Sequence, residues 1–355
     1  MSSPPSTMID LDEARQQVTE YLLTFLAGKR ERARKGALPS EIPATLESFV
    51  AAGGKRLRPL LCLAGWQAAG GDGLPEPVLR TAAALELYQA FALIHDDIID
   101  NTDTRRSRPT VHREIAARLG HHDRAAQVGA SAALLIGNMA LTWSDELYTT
   151  AGVPAGRRGA AASVIDVMRE EMHYGQYLDL MTALGPITDQ RAAMAVIRYK
   201  TAKYTVERPL HVGAALAGAD AGLLETLSRF ALPLGDAFQL RDDLLGIFGD
   251  PLLTGKPVSD DLREGKRTVL LAIAARRATA TQRDLLESLV GRAGLTEPEA
   301  RAAREVIAAT GAPEIVEAMI AERYRESLTA LDDAPRLRAR ATLRKLAMLC
   351  VERDS

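Results

Sequence analysis

Cysteine is nearly absent: Cys62 and Cys350 are the only two among 355 residues. So few thiols argue against a disulfide-stapled scaffold and fit a reducing compartment. An excess of one charge sign is missing too. With 44 basic and 46 acidic residues the formal net charge is −2, which gives no electrostatic reason to expect a nucleic-acid partner. No apolar run reaches the roughly 18 uninterrupted residues of a membrane span. The stretch Met1 to Ile9 lacks the cationic start and apolar core of a secretory signal. Alternating strand patterns, a fixed-period repeat and a compositional break between halves are also lacking. What remains is ordinary globular material, 47% apolar and 25% charged, enough for a sizeable core. The expectation is a cytoplasmic protein that neither crosses a membrane nor binds nucleic acid.

Helical periodicity fills the chain instead. From Leu11 onward Ala, Leu, Glu and Arg dominate, and apolar residues recur at three- and four-residue steps. The pattern predicts helices near 11–35, 44–52, 57–70, 76–100, 112–119, 124–150, 156–182, 189–217, 221–247, 266–277, 280–292, 297–309, and 313–350 with breaks. Gly and Pro clusters such as Gly70-Gly71-Asp72-Gly73 and Gly249-Asp250-Pro251 punctuate them. An all-α fold follows, with residues 1–10 disordered and 11–355 forming one domain.

Two acidic clusters stand out: Asp96-Asp97-Ile98-Ile99-Asp100 and Asp242-Asp243-Leu244-Leu245-Gly246. Each closes an apolar helix, at the end where the helix dipole disfavours carboxylates. Residues four apart share a helix face, about 6 Å apart, so Asp96 and Asp100 would stand side by side. That placement destabilises a fold without a counter-charge, and hard divalent cations such as Mg2+ prefer oxygen ligands. Basic residues follow each cluster. Arg105, Arg106 and Arg108 come after the first, with Pro109-Thr110-Val111-His112; Lys256 and then Asp260-Asp261-Leu262-Arg263-Glu264-Gly265-Lys266-Arg267-Thr268 come after the second. Carboxylates for a cation beside Arg and Lys for oxyanions make the two halves of a diphosphate site. A third basic element, Gly53-Gly54-Lys55-Arg56-Leu57-Arg58-Pro59, precedes a helix, and its glycines let the backbone approach an anion. Neither this loop nor Gly255-Lys256-Pro257 has the form of a Walker A loop.

Together these elements resemble the trans-isoprenyl diphosphate synthases of the polyprenyl synthetase family. The basic loop, both aspartate motifs, the run from Arg105 to His112, Lys200-Thr201, and the loops around Lys256 and Lys266 occur in family order over roughly residues 45–275. The resemblance implies the isoprenoid synthase fold, helices surrounding a deep central cavity, usually as a homodimer. It implies Mg2+-dependent, head-to-tail condensation of isopentenyl diphosphate with an allylic diphosphate (dimethylallyl, geranyl or farnesyl), with three ions per site. Carried over by position, Asp96, Asp100 and Asp242 would coordinate Mg2+, with Asp97 and Asp243 as supporting or occasional ligands. Arg105, Lys200, Gln239, Lys256 and Lys266 would hold the allylic diphosphate. Lys55, Arg58 and Arg106, with Gly54 in the loop and Gln89 nearby, would face the isopentenyl diphosphate. The Thr201 carbonyl or the Gln239 amide oxygen would lie near the developing allylic cation. Gln176 and Asp179 resemble a further cavity-lining element.

The chain departs from the family at Gly246, where the second motif normally ends in a third Asp. Asp250, four residues on, is expected in a loop because Gly249 and Pro251 break the helix. Phe91 lies five residues before Asp96, with the small Ala92 beside it. In the family an aromatic at that depth blocks long products, so the resemblance implies a geranylgeranyl (C20) product, with farnesyl (C15) and geranylfarnesyl (C25) as alternatives. A class I terpene cyclase or a head-to-head synthase would use aspartates and Mg2+ without the basic loop at Lys55 and Arg58. A non-catalytic subunit of a heteromeric synthase would have lost a motif. His121-His122-Asp123 is expected to be a solvated turn, and Asn138, Thr142 and Glu146 are expected to serve helix packing rather than metal binding.

Overall fold

The computed structural model describes residues 9–250 and 260–351, and these are overwhelmingly helical. Asp10 opens the first helix, α1 (Leu11–Lys35), by accepting from the backbone N–H groups of Asp12 and Glu13. Asp10, at the end of the stretch expected to be disordered, is thus part of the helix cap, and residues 1–8 lie outside the described part. α2 (Glu41–Ala51) and α3 (Leu57–Ala68) follow, then α4 (Glu76–Ile99). Thr81 through Tyr88 of α4 are all buried, as suits a helix covered on every side. α3 and α1 pack against it, and so does α6 (Ala125–Thr149).

α6 is long and apolar enough to cross a membrane by length and composition alone, a test that core helices also pass, and its apolar residues do not form the uninterrupted run of a span. Its apolar surplus has two faces: Ala133, Ile136, Gly137, Ala140 and Leu147 are buried, while Val128, Leu134 and Leu135 are exposed. Between α4 and α6 lies the short α5 (Val111–Arg118).

The predicted strandless stretch after α4 instead forms a small hairpin, β1 (Thr104–Arg105) with β2 (Arg108–Pro109), antiparallel. Arg106 and Ser107 make its turn with φ of 53° and 58°. A two-residue turn with both φ positive matches the twist of the flanking strands.

α7 (Ala155–Ala183) leads to a helical run predicted as one piece. It is α8 (Gln190–Val196), a π-helical stretch (Ile197–Glu207) and α9 (Arg208–Ala217). The wider π turn is the difference. α10 (Ala221–Phe248) lies against the π stretch, and α7 packs against it as well. Beyond it come α11 (Asp260–Glu264), α12 (Val269–Arg277), α13 (Ala280–Leu289), α14 (Glu297–Ala309), α15 (Ala312–Asp332) and α16 (Arg340–Val351). The inner ends of α10, α12, α14 and α15 share a second apolar cluster, with Leu240, Leu270, Ile307 and Ile320 buried in it.

Candidate active site

α4 aims one stripe at the interior. Gln89, Ala92 and Asp96 are spaced three and four apart, and with Phe91 they line a cavity of about 810 Å³. The remaining two aspartates of the first cluster do not line it. Asp97 is buried, with Arg105 Nε 2.9 and 3.0 Å from its two oxygens. Such a contact is that of a supporting residue: one residue past Asp96 the helix has turned by roughly 100°. The Asp97 carboxylate fixes Arg105, which itself reaches the cavity. Asp100 caps the end of α4, with Lys266 Nζ 3.9 Å away. Burial raises the Asp100 carboxyl to about 7, and the charge of Asp96 adds to the effect while Lys266 and Lys200 oppose it. Burial acts on Asp96 too, but Lys200, Lys266 and Arg105 outweigh it and hold that carboxyl below its usual range.

The π stretch supplies the opposing cation. Its wide turn brings Lys200 and Thr201, then Tyr204 and Thr205, into the same cavity. Lys200 Nζ donates to Asp96 at 3.0 Å and to Asp179, on α7, at 2.6 Å. Thr201 donates to Gln239 Oε1 at 2.6 Å, and Gln239 Nε2 donates to Asp243 Oδ1 at 2.7 Å. Asp243 is buried, and its carboxyl is raised well above the usual range by burial, with the charges of Asp242 and Asp261 adding. Asp242 is exposed and lines the cavity beside it. Lys266 faces Asp261 at 3.3 Å and Glu264 at 2.8 Å. Lys256 lies outside the described residues.

The basic loop is built around two buried guanidinium contacts. Arg56 adopts φ of 51°, pairs with Glu86 at 2.8 Å in the interior, and donates to the carbonyls of Gly53 and Val50. Arg106, thrown forward by the hairpin turn, donates to the same Gly53 carbonyl. Gly54 sits at φ of 132°, and a Cβ there would come within 2.7 Å of Arg106 NH2. Only glycine fits both demands. Arg58 donates to Thr205 Oγ1 at 2.5 Å and lies 4.2 Å from the Tyr204 ring centre. The Tyr204 hydroxyl donates to Gln89 Oε1 at 2.6 Å. Gly54, Lys55, Arg58 and Arg106 all line the cavity. Thr110 and His112 do not; Thr110 Oγ1 donates to the Thr102 carbonyl at 2.8 Å, tying the hairpin's ends.

At the deeper end, Phe91 is buried with its ring 4.6 Å from His95 and 6.0 Å from His173. Gln176 lines the cavity one turn beyond His173. Asp250 falls after the end of α10, as expected. The His121-His122-Asp123 segment is an exposed turn, and Glu146 pairs with Lys29 on the far side of α6. Tyr204, Thr205, Met172 and His173 line the cavity without having been singled out in the sequence. A helical wheel drawn from Lys200 or Gln176 reaches them one turn away.

The donor set suits a hard cation. Burial raises the carboxyls of Asp100 and Asp243, with the charge of Asp96 adding at the first and those of Asp242 and Asp261 at the second, and the ligands available at the cavity are oxygens. Among the described residues no three metal-capable side chains form a ready-made cage. That is the pattern for Mg2+, which is commonly held by one or two carboxylates and by substrate phosphates.

Comparison with known proteins agrees with this geometry. The profile of the polyprenyl synthetase family matches residues 39–307. The fold is similar to a geranylgeranyl pyrophosphate synthase from Corynebacterium glutamicum, crystallised with isoprenyl diphosphate and magnesium. The two are 41% identical with a TM-score of 0.92, covering 97% of this chain and 100% of that one. A (2E,6E)-farnesyl diphosphate synthase of Mycobacterium tuberculosis is 33% identical over 311 residues, 85% of this chain and 80% of that protein. A geranylfarnesyl diphosphate synthase of Aeropyrum pernix is 29% identical over 318 residues, 88% of this chain and 92% of that protein. The chain belongs to the polyprenyl synthetase family and is a prenyltransferase.

Proposed function

We propose that this chain condenses isopentenyl diphosphate head to tail with an allylic diphosphate, giving an all-trans geranylgeranyl (C20) product, as a cytoplasmic homodimer. The observation that carries this reading is the meeting of acidic residues, Asp96 and Asp242, with the basic loop, Lys55 and Arg58, in one cavity that Phe91 also lines. Asp96, Asp100 and Asp242 would hold Mg2+, three ions in all on the family's pattern. When bound, Mg2+ supplies charge neutralisation for the diphosphate leaving group.

The chain's own groups do the rest. Lys200, Arg105 and Lys266 orient the allylic diphosphate, and Arg105 is preset for this by Asp97. The Arg56–Glu86 pair fixes the loop from which Lys55 and Arg58 grip the isopentenyl diphosphate. Its double bond then reaches the allylic carbon from a fixed position, and the departing diphosphate takes the proton. Gln239, held by Thr201, presents its amide oxygen toward the developing positive charge. The enclosing helices exclude water. Phe91 precedes Asp96 by five residues, about 7.5 Å along the helix, and limits the growing tail.

Product analysis tests the reading. With Mg2+, isopentenyl diphosphate and each allylic starter in turn, the expected major product is C20. A hydrocarbon formed from the allylic diphosphate alone would point to a cyclase. An inactive protein that activates a partner chain would point to a regulatory subunit.

A further inference from the structure

Gly246 is where the second acidic cluster falls one carboxylate short, yet its place is taken. A Cβ on Gly246 would come within 1.9 Å of Asp261 Oδ2 and 2.9 Å of its Cγ. The Asp261 carboxylate therefore stands where a side chain at 246 would begin. Position 246 is one helical turn beyond Asp242 and shares its face. Asp261 comes from α11, a different element, and lines the same cavity as Asp242 and Asp243. Its other oxygen, Oδ1, is 3.3 Å from Lys266 Nζ, a lysine that already has Glu264 at 2.8 Å.

We propose that Asp261 supplies the third carboxylate of the second acidic motif, completing from α11 the Mg2+-binding face that Gly246 leaves short. Gly246 and Asp261 form a matched pair: the missing side chain makes the room, and the incoming carboxylate restores the charge. The inference rests on the Mg2+–diphosphate reading of the cavity.

Manganese titration of the full-length protein in the presence of inorganic pyrophosphate, followed by electron paramagnetic resonance, separates the possibilities. Asp261→Asn, nearly isosteric, is expected to weaken Mn2+ binding by about 10-fold or more. Gly246→Ala should weaken it too, because its Cβ must displace the Asp261 carboxylate, and this variant serves if the first does not fold. Gly246→Asp added to Asp261→Gly should recover most of the affinity. Mn2+ affinity within 2-fold of wild type in both single variants would overturn the proposal. So would a loss confined to metal-free pyrophosphate binding, which would assign Asp261 to Lys266 alone. Asp96→Ala is the control: if it abolishes Mn2+ binding while Asp261→Asn is silent, only the present inference fails. If neither variant affects Mn2+, the metal reading of the cavity fails with it.

Discussion

At the residue scale, single side chains bear on the proposed product length and on stability. Phe91 carries its ring against His95 and His173 and lines the cavity one turn before Asp96. Phe91→Ala widens the cavity there and should lengthen the product by at least one isoprene unit, read by chromatography of the dephosphorylated alcohols. An unchanged profile would remove Phe91 from the role. Asp236 offers a test away from the site. It is buried on α10, paired with Arg198 at 2.9 Å through Oδ2, while its Oδ1 is buried with no hydrogen-bond donor. Burial raises its carboxyl from 3.8 to about 6, with Arg198 opposing. The folded state thus keeps a proton that the unfolded chain releases first, so stability falls as pH rises through 4 to 6 and then levels. Two pKa units correspond to about 2–3 kcal/mol. Urea denaturation at pH 4 and pH 8 should show wild type losing about that much relative to Asp236→Asn. An equal gap at both pH values would refute it. At this scale much of the site was legible in the sequence, because Asp96, Lys55, Arg58 and Lys200 each sit in a local motif. The contact of Asp97 with Arg105 was not legible, because spacing alone does not say which way a neighbour on a helix turns. The approach of Asp261 to Gly246 was not legible in the sequence, because it is recognisable only by the space that the glycine leaves.

At the scale of elements, periodicity foretold the helices well, since burial on one face fixes a three- and four-residue rhythm. It did not foretell the hairpin, whose turn is Arg106-Ser107 rather than the Asn-Gly type that signals such a turn. Nor did it foretell the π stretch, whose hydrogen-bond register depends on neighbours as much as on its own residues. Those neighbours approach through glycine on both sides. A Cβ on Gly175 of α7 would lie 2.4 Å from the Lys200 nitrogen, and one on Gly235 of α10 would lie 2.4 Å from the Ala202 Cα. The obstructing atoms are backbone, so no rotamer change relieves the overlap. Gly175→Ala and Gly235→Ala should each cost about 1–3 kcal/mol in chemical denaturation. They should also lower kcat by up to about 100-fold, since a shift near 1 Å would misplace Lys200 and Thr201. Gly28→Ala is the reference, for nothing lies within 4 Å of a Cβ there. If Gly175→Ala were as stable and active as Gly28→Ala, the clamp on the π stretch would have no consequence.

At the scale of the whole molecule, large apolar side chains among the described residues of two helices are left without cover. Leu134 and Leu135 on α6, and Tyr174, Tyr177, Met181 and Leu184 on α7, are exposed, some by more than half. These two helices flank the cavity beside Phe91: the His95 ring contacts the Leu134 carbonyl at 3.2 Å, while the Phe91 ring meets His173 of α7. Large apolar side chains exposed in this way favour association, and a formal charge of −2 adds little long-range repulsion between copies. In a two-fold dimer every residue of the patch is used twice, so a single substitution places two charges in the interface. Leu135→Asp with Leu184→Asp would therefore desolvate four carboxylates per dimer without partners. Each unpaired buried charge costs several kcal/mol, so dissociation should rise by well over about 100-fold. Size-exclusion chromatography with light scattering should find wild type at twice the 38.3 kDa chain mass and the double variant near 38.3 kDa. A wild-type monomer at micromolar concentration would overturn the dimer. Retained dimerisation in the double variant would move the interface off α6 and α7. The second result bears on the chemistry as well, because Phe91 and His95 lie directly behind this face. If the partner helps to hold Phe91 in place, the monomeric variant should release a broader spread of chain lengths while keeping its affinity for isopentenyl diphosphate at Lys55 and Arg58.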